Sequence, residues 1–133
     1  MIPPRLDITP QEIDTVVAAF YAGVRRHPVL GPVFARHVTD WPAHEAKIGR
    51  FWRNAILFEG GYDGNPMAVH RAAGNVRPGM FTPWLQLFDA TLAAHLRPEA
   101  AAGWSALAHR IGRGLSLGLQ EYGGMPNLRP PPA

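Results

Sequence analysis

Residues 41–55 read WPAHEAKIGRFWRNA. Trp41, His44, Ile48, Phe51, Trp52 and Ala55 stand at offsets 0, 3, 7, 10, 11 and 14. That recurrence puts apolar side chains on one face of an α-helix. Lys47, Arg50 and Arg53 fall on or beside the other face. Asp40 is placed to cap the start, and Pro42 sits in the first turn, where a missing N–H is harmless. The helix is predicted to run to Gly60-Gly61. So long an apolar face needs burial against other elements, and the neighbouring segments are helical too.

Upstream, Thr9-Pro10-Gln11-Glu12 is a helix start: a cap, a first-turn proline and the acid that completes a capping box. Ile13, Val16, Val17, Phe20 and Val24 then repeat at helical spacing, with Tyr21 one turn from both Val17 and Val24 on the inward side. Pro28 closes this helix, and Leu30-Gly-Pro-Val-Phe34 is expected to be a tight turn. Downstream, Thr82-Pro83 is expected to open a third long helix whose face is Phe81, Trp84, Leu85, Phe88, Leu92, His95 and Leu96. Pro98-Glu99 opens the fourth, with Trp104, Leu107, Ala108, Ile111, Leu115, Leu119 and Tyr122 on its face and Gly123-Gly124 at its end. Between the second and third helices, Gly60 to Gly79 is mostly loop chemistry. It is interrupted by a short helix that starts at Asn65-Pro66, carries Met67, Val69 and His70, and stops at Gly74. No stretch alternates like a strand, and no internal repeat occurs. The fold class is all-α, with four main helices and one short extra helix. The chain divides into a lead (1–8), one helical domain (9–124) and a Pro-rich disordered tail (125–133) containing Pro130-Pro131-Pro132.

Composition removes several function classes. The 133 residues contain no cysteine, which excludes disulfides, thiolate metal sites, Cys nucleophiles, iron–sulfur clusters and covalent haem attachment through a CxxCH motif. Serine occurs only at 105 and 116, inside an Ala/Leu-rich helical stretch, which argues against a serine hydrolase. The isoelectric point near 10.0 comes from a net charge of only +3. Basic residues never run beyond the pair Arg25-Arg26, so no dense basic face for nucleic acid is present. No apolar run suits a membrane span or a signal peptide, and a soluble cytoplasmic protein is the expectation.

Six histidines are the more informative count, since imidazole is the remaining good transition-metal ligand when cysteine is absent. His44 lies among aromatic and aliphatic residues on the second helix. His70 sits on a short helix reached through a Gly-rich loop, and such loops serve mostly to place functional residues. For each alone, an ordinary core or surface histidine is the plainer alternative. Paired Glu-x-x-His motifs for a dinuclear iron site are absent. His44-Glu45-Ala46-Lys47-Ile48 supplies only half of a zinc-protease motif. A three-His zinc site stays open, though no spacing selects it. A haem iron held by one histidine asks least: one imidazole, an apolar slot with aromatic walls and cations at its mouth. Lys47, Arg50 and Arg53 are candidates for those cations or, more plainly, a solvated helix face.

Five blocks carry a family resemblance: FYAGVRRHPVLGPVF (20–34), WPAHEAKIGRFW (41–52), GGYDGNPMAVH (60–70), FTPWLQLF (81–88) and EYGG (121–124). In order and spacing they resemble the truncated haemoglobins, most closely the group III (P-type) branch. The resemblance implies a shortened globin fold: helix pairs packed two-over-two, with the proximal helix cut to about a turn inside a long loop. It implies haem b as cofactor and His70 as proximal ligand to its iron. Tyr21, His44, Ile48 and Trp84 would form the distal pocket for diatomic ligands. Trp52 would pack at the haem edge and Phe34 against the porphyrin, with Phe51 and Lys47 also touching the cofactor. The implied function is reversible binding of O₂, NO or CO, with an unidentified reductase as partner; peroxidase-like or NO-detoxifying chemistry would suit the same pocket. A densely donating pocket slows O₂ release, which argues against bulk transport. A cofactor-free helical interaction domain is the alternative. It would use the tryptophans as packing anchors and leaves the loop and the inward His–Tyr pair without a purpose.

Overall fold

Thr9 opens the first helix as its sequence predicts. Its hydroxyl accepts the Glu12 N–H at 3.1 Å, and Glu12 Oε1 accepts the Thr9 N–H at 2.9 Å. The computed structural model describes residues 3–74 and 76–124, with side chains for all of these except 71, 72 and 120–124. The helices are α1 (Pro10–Arg26), α2 (Leu30–Ala35), α3 (Trp41–Leu57), α4 (Pro66–Ala73), α5 (Phe81–His95) and α6 (Pro98–Gly124). A 3₁₀ turn, Pro78–Met80, leads into α5. The Pro-rich segment 125–133 and the Tyr122 side chain lie outside the described residues.

Helix α1 packs on α3 and α5, and α5 packs along α6, so the α1–α3 pair lies over the α5–α6 pair. The core between the layers is Val16, Phe20 and Val24 from α1, Trp52 and Ile56 from α3, Phe88 and Leu92 from α5, and Trp104 from α6. Each such side chain contributes roughly 1.5–3 kcal/mol through removal from water. Among the described residues no strand occurs, and no helix is long and apolar enough to cross a membrane.

The structure departs from the sequence expectations at five places. Residues 30–35 form a helix, not a tight turn. His27 Nδ1 accepts the N–H groups of Val29 and Leu30, both at 3.1 Å, and so satisfies donors that a short helix leaves open. Gly31 lets α2 approach the end of α1, since a Cβ there would lie 3.1 Å from the Val24 and Arg25 carbonyl oxygens. Helix α3 stops at Leu57, before the Gly-Gly pair, with Phe58 in the left-handed region at φ 59°. The lead holds that end. The Arg5 backbone N–H donates to the Ile56 carbonyl at 2.7 Å, its Nε donates to the Ala55 carbonyl at 3.0 Å, and its guanidinium sits 5.4 Å from the Phe58 ring centre.

Helix α4 has eight residues, about two turns rather than one. Helix α5 begins at Phe81, directly from the 3₁₀ turn, so Thr82 is a first-turn residue and not the cap. His95 is exposed, and the inward position one turn earlier belongs to Thr91. Thr91 satisfies its own hydroxyl by donating to the Leu87 carbonyl at 2.9 Å. A threonine that bonds its own helix can face the core, which an apolar-only pattern does not register.

Candidate functional site

The last turns of α1, the short α2 and the first turns of α3 converge on one aromatic cluster. Tyr21 lies edge-on to His44 at 4.9 Å between ring centres and to Phe34 at 5.8 Å, with Trp41 at 6.1 Å. Phe34 and Trp41 each lie 6.1 Å from the His44 ring. Tyr21 is only 3% exposed. Burial, and secondly the Glu45 carboxylate, push its pKa far above the usual phenol value, so at neutral pH it is a protonated donor.

Arg25 ties the cluster together. It pairs with Glu45 at 2.9 Å, donates from Nε to the Tyr21 carbonyl at 3.2 Å and lies 4.8 Å over the Trp41 ring. Sequence reasoning assigned no site role to Arg25 or Trp41. Trp41 carried a signal, one turn before His44 on the same face, whereas the Arg25–Glu45 pairing is visible only once α1 and α3 meet.

His44 Nε2 is buried without a hydrogen-bond partner, a condition shared among the described residues only by Arg53 Nε and Trp104 Nε1. Burial first, and the Lys47 ammonium second, lower the His44 pKa below the ordinary imidazole value. At pH 7 the ring is therefore neutral. The folded protein resists protonating it, so its contribution to stability is present above the unfolded-state value of about 6.5 and declines as pH falls through it. In an NMR titration of the ligand-free protein, the His44 ring is expected to titrate below 6.5, and Lys47→Met to move its midpoint upward. A midpoint at or above 6.5 in the parent protein would contradict the burial argument.

The second histidine is built by local rules. Asn65 Oδ1 accepts the Ala68 N–H at 3.2 Å, Pro66 occupies the first helical position, and Gly74 at φ 79° ends α4. The His70 Nδ1 lies 2.5 Å from the Pro66 carbonyl oxygen. A carbonyl can only accept, so Nδ1 carries the proton and Nε2 of the neutral ring keeps its lone pair for a metal. Phe81 lies beside the ring at 5.9 Å. Helix α4 leans on α6. An open groove of about 520 Å³ lies among Phe51 and Ala55 of α3, Asn65, Pro66 and Met67 at α4, and Arg110, Ile111 and Leu115 of α6, with neither histidine in its lining.

The remaining predicted residues fall as follows. Ile48 is half-buried against the core, one turn beyond His44. Trp84 stacks on Phe88 at 5.1 Å and meets the Phe20 edge at 5.2 Å; Phe20 in turn meets Tyr21 at 5.1 Å. Trp84 is thus one ring removed from Tyr21. Trp52 is turned into the core, on Phe88 and Trp104 at 5.5 Å each. Lys47 and Arg50 are exposed, and Arg53 is bound to Asp14 of α1 at 2.5 Å. The structure brings Tyr21, Phe34 and His44 together. His70 lies outside those ring contacts, on α4 beside Phe81. One imidazole nitrogen with a free lone pair, another buried without a partner, and an apolar groove along their helices suit a metal carried in an apolar organic frame.

No protein-family model matches the chain. It is 31% identical over 121 residues to the group 3 truncated haemoglobin of Campylobacter jejuni, an alignment spanning 88% of this chain and 95% of that protein. The crystal structure of group III truncated haemoglobin from Campylobacter jejuni matches with a TM-score of 0.82 at 31% sequence identity, covering 86% of this chain and 94% of that one.

Proposed function

The chain belongs to the group III truncated haemoglobins, and from that premise we propose that it holds haem b through His70 Nε2 and binds diatomic ligands reversibly on the side of Tyr21 and His44. The observation that carries the proposal is the His70 Nδ1–H to Pro66 carbonyl hydrogen bond, which fixes the tautomer and orients the ring. When bound, haem supplies the iron to which O₂, NO or CO attaches.

The protein's own groups then set affinity and selectivity. The Tyr21 hydroxyl, held protonated by burial and by Glu45, can donate to a ligand that gathers negative charge. A hydrogen bond to such a charged group is worth ~1.5–3 kcal/mol. Neutral His44 has one ring nitrogen to donate and one to accept, and its bare Nε2 faces a dry environment in which either bond is strengthened. The Trp84 indole N–H is a third donor, placed behind Phe20. Phe34, Ile48 and Phe51 supply the apolar walls, with Trp52 packed against Phe51 from the core side, and exposed Lys47 is the cation suited to a propionate.

The test is an ultraviolet–visible spectrum of the purified protein, oxidised and then reduced under CO. A strong Soret band that shifts with CO is the expected result. A colourless protein that fails to take up added haem would sink the proposal and leave the cofactor-free helical domain.

A further inference from the structure

Five aromatic rings form an unbroken line from Trp84 to the loop that follows α3. Trp84 lies on Phe88 at 5.1 Å with 10° between planes, and Phe88 lies on Trp52 at 5.5 Å and 20°. Trp52 meets the edge of Phe51 at 5.0 Å, and Phe51 meets Tyr62 at 5.2 Å. The two near-parallel contacts among the described rings both fall on Phe88, giving a three-layer stack of indole, phenyl and indole. Phe88 and Trp52 are 1% and 3% exposed, so the middle of the line is dry, whereas Tyr62 is partly open to solvent. Gly64 makes room for that outer end: a Cβ there would collide with the Tyr62 ring and hydroxyl.

We propose that this line is a path for one-electron oxidising equivalents, leading from the pocket through Trp84, Phe88, Trp52 and Phe51 to Tyr62, where a soluble reductant removes them. The inference rests on the haem reading above. Indole and phenol are the side chains most readily oxidised by one electron, and the chain has no cysteine to intercept the charge. Stacked phenyl rings couple their neighbours without holding the charge themselves.

The co-reactant is a hydroperoxide. Reduction of hydrogen peroxide breaks its O–O bond, takes up two electrons and two protons, and yields two waters. Both electrons are drawn in turn through the stack from Trp52, so the steps that follow run twice and consume two equivalents of reductant. The Tyr62 phenol then returns an electron to the Trp52 ring, its O–H bond breaks, and the proton leaves to solvent. A one-electron reductant of the ascorbate class finally gives Tyr62 a hydrogen atom and is itself oxidised.

Tyr21 is nearer the pocket but is a poor terminus. An oxidised phenol must shed its proton, and Tyr21 is only 3% exposed, so little water reaches it to take that proton. Its proton is held still more firmly by burial and by Glu45. Burial and Asp63 also hold the Tyr62 proton above its ordinary value, yet water reaches this ring and can take the proton away.

The experiment uses the haem-loaded protein, with its Soret band and CO complex checked first. It is mixed with hydrogen peroxide without reductant, frozen and examined by electron paramagnetic resonance. The chain has only three tyrosines, at 21, 62 and 122, so assignment by substitution is tractable. A tyrosyl signal is expected in the parent protein and in Tyr21→Phe. It is expected to be lost in Tyr62→Phe, which keeps the ring packing, with peptide mass spectrometry then finding oxidised tryptophan at 84 or 52. Gly64→Ala, which forces Tyr62 off Phe51 while leaving the phenol in place, should weaken the signal. Absence of a tyrosyl signal in the parent, or its survival in Tyr62→Phe, overturns the relay. A protein lacking the Soret band and CO complex overturns the haem reading instead, and that failure is visible before peroxide is added.

Discussion

His70→Gly is expected to release haem on the order of 100-fold faster or more, since losing even an outer partner of a metal ligand costs 10–100-fold in affinity. The substitution removes the imidazole whose Nδ1–H is fixed by the Pro66 carbonyl and whose Nε2 would hold the iron. Two other consequences need separating from ligand loss. Glycine inside α4 weakens the helix by about 1 kcal/mol relative to alanine, and His70→Ala removes the ligand without that penalty. Both variants should regain haem when imidazole is supplied in solution, because the space left by the ring admits it. Haem dissociation is measured by transfer to an apoglobin acceptor, and the reduced spectrum with and without imidazole. Tight haem and an unchanged reduced spectrum in both variants would show that another side chain, with His44 the first to examine, ligates the iron.

Tyr21→Phe is expected to speed O₂ release about tenfold, the effect of removing ~1.4 kcal/mol of hydrogen bonding. CO gathers little negative charge and should leave at nearly the parent rate. Stability should move in the opposite direction or stay level. Tyr21 is only 3% exposed, and a hydroxyl carried into the interior costs roughly 1–3 kcal/mol unless it is hydrogen-bonded. Phenylalanine keeps the edge-on contacts with Phe20, Phe34 and His44. A residue that serves packing alone would leave the O₂ rate unchanged, and a hydroxyl that serves the fold alone would lower the melting temperature. Flash photolysis or stopped-flow mixing, together with thermal unfolding of the ligand-free protein, separates these outcomes.

Much of this protein is local, and the amino-acid order determined it unaided. The starts of α1, α3 and α4 follow from Thr9-Pro10, Asp40-Trp41-Pro42 and Asn65-Pro66, each a side-chain oxygen beside a proline within one turn. The inward placing of Phe20, Tyr21, Trp52 and Phe88 follows from a 3.6-residue period, and so does His44 on the apolar face of α3. Other features depend on partners far apart in the chain, which no period encodes. Arg5 finds the end of α3, and Phe58 adopts a left-handed backbone there. Arg25 finds Glu45 and Trp41, and Thr91 rather than His95 turns inward. The indole–phenyl–indole stack joins residues 52 and 84. Helix boundaries and faces are settled by neighbours three or four residues away. Which faces meet, and which polar atoms are left without partners, is settled only when the layers close and water leaves.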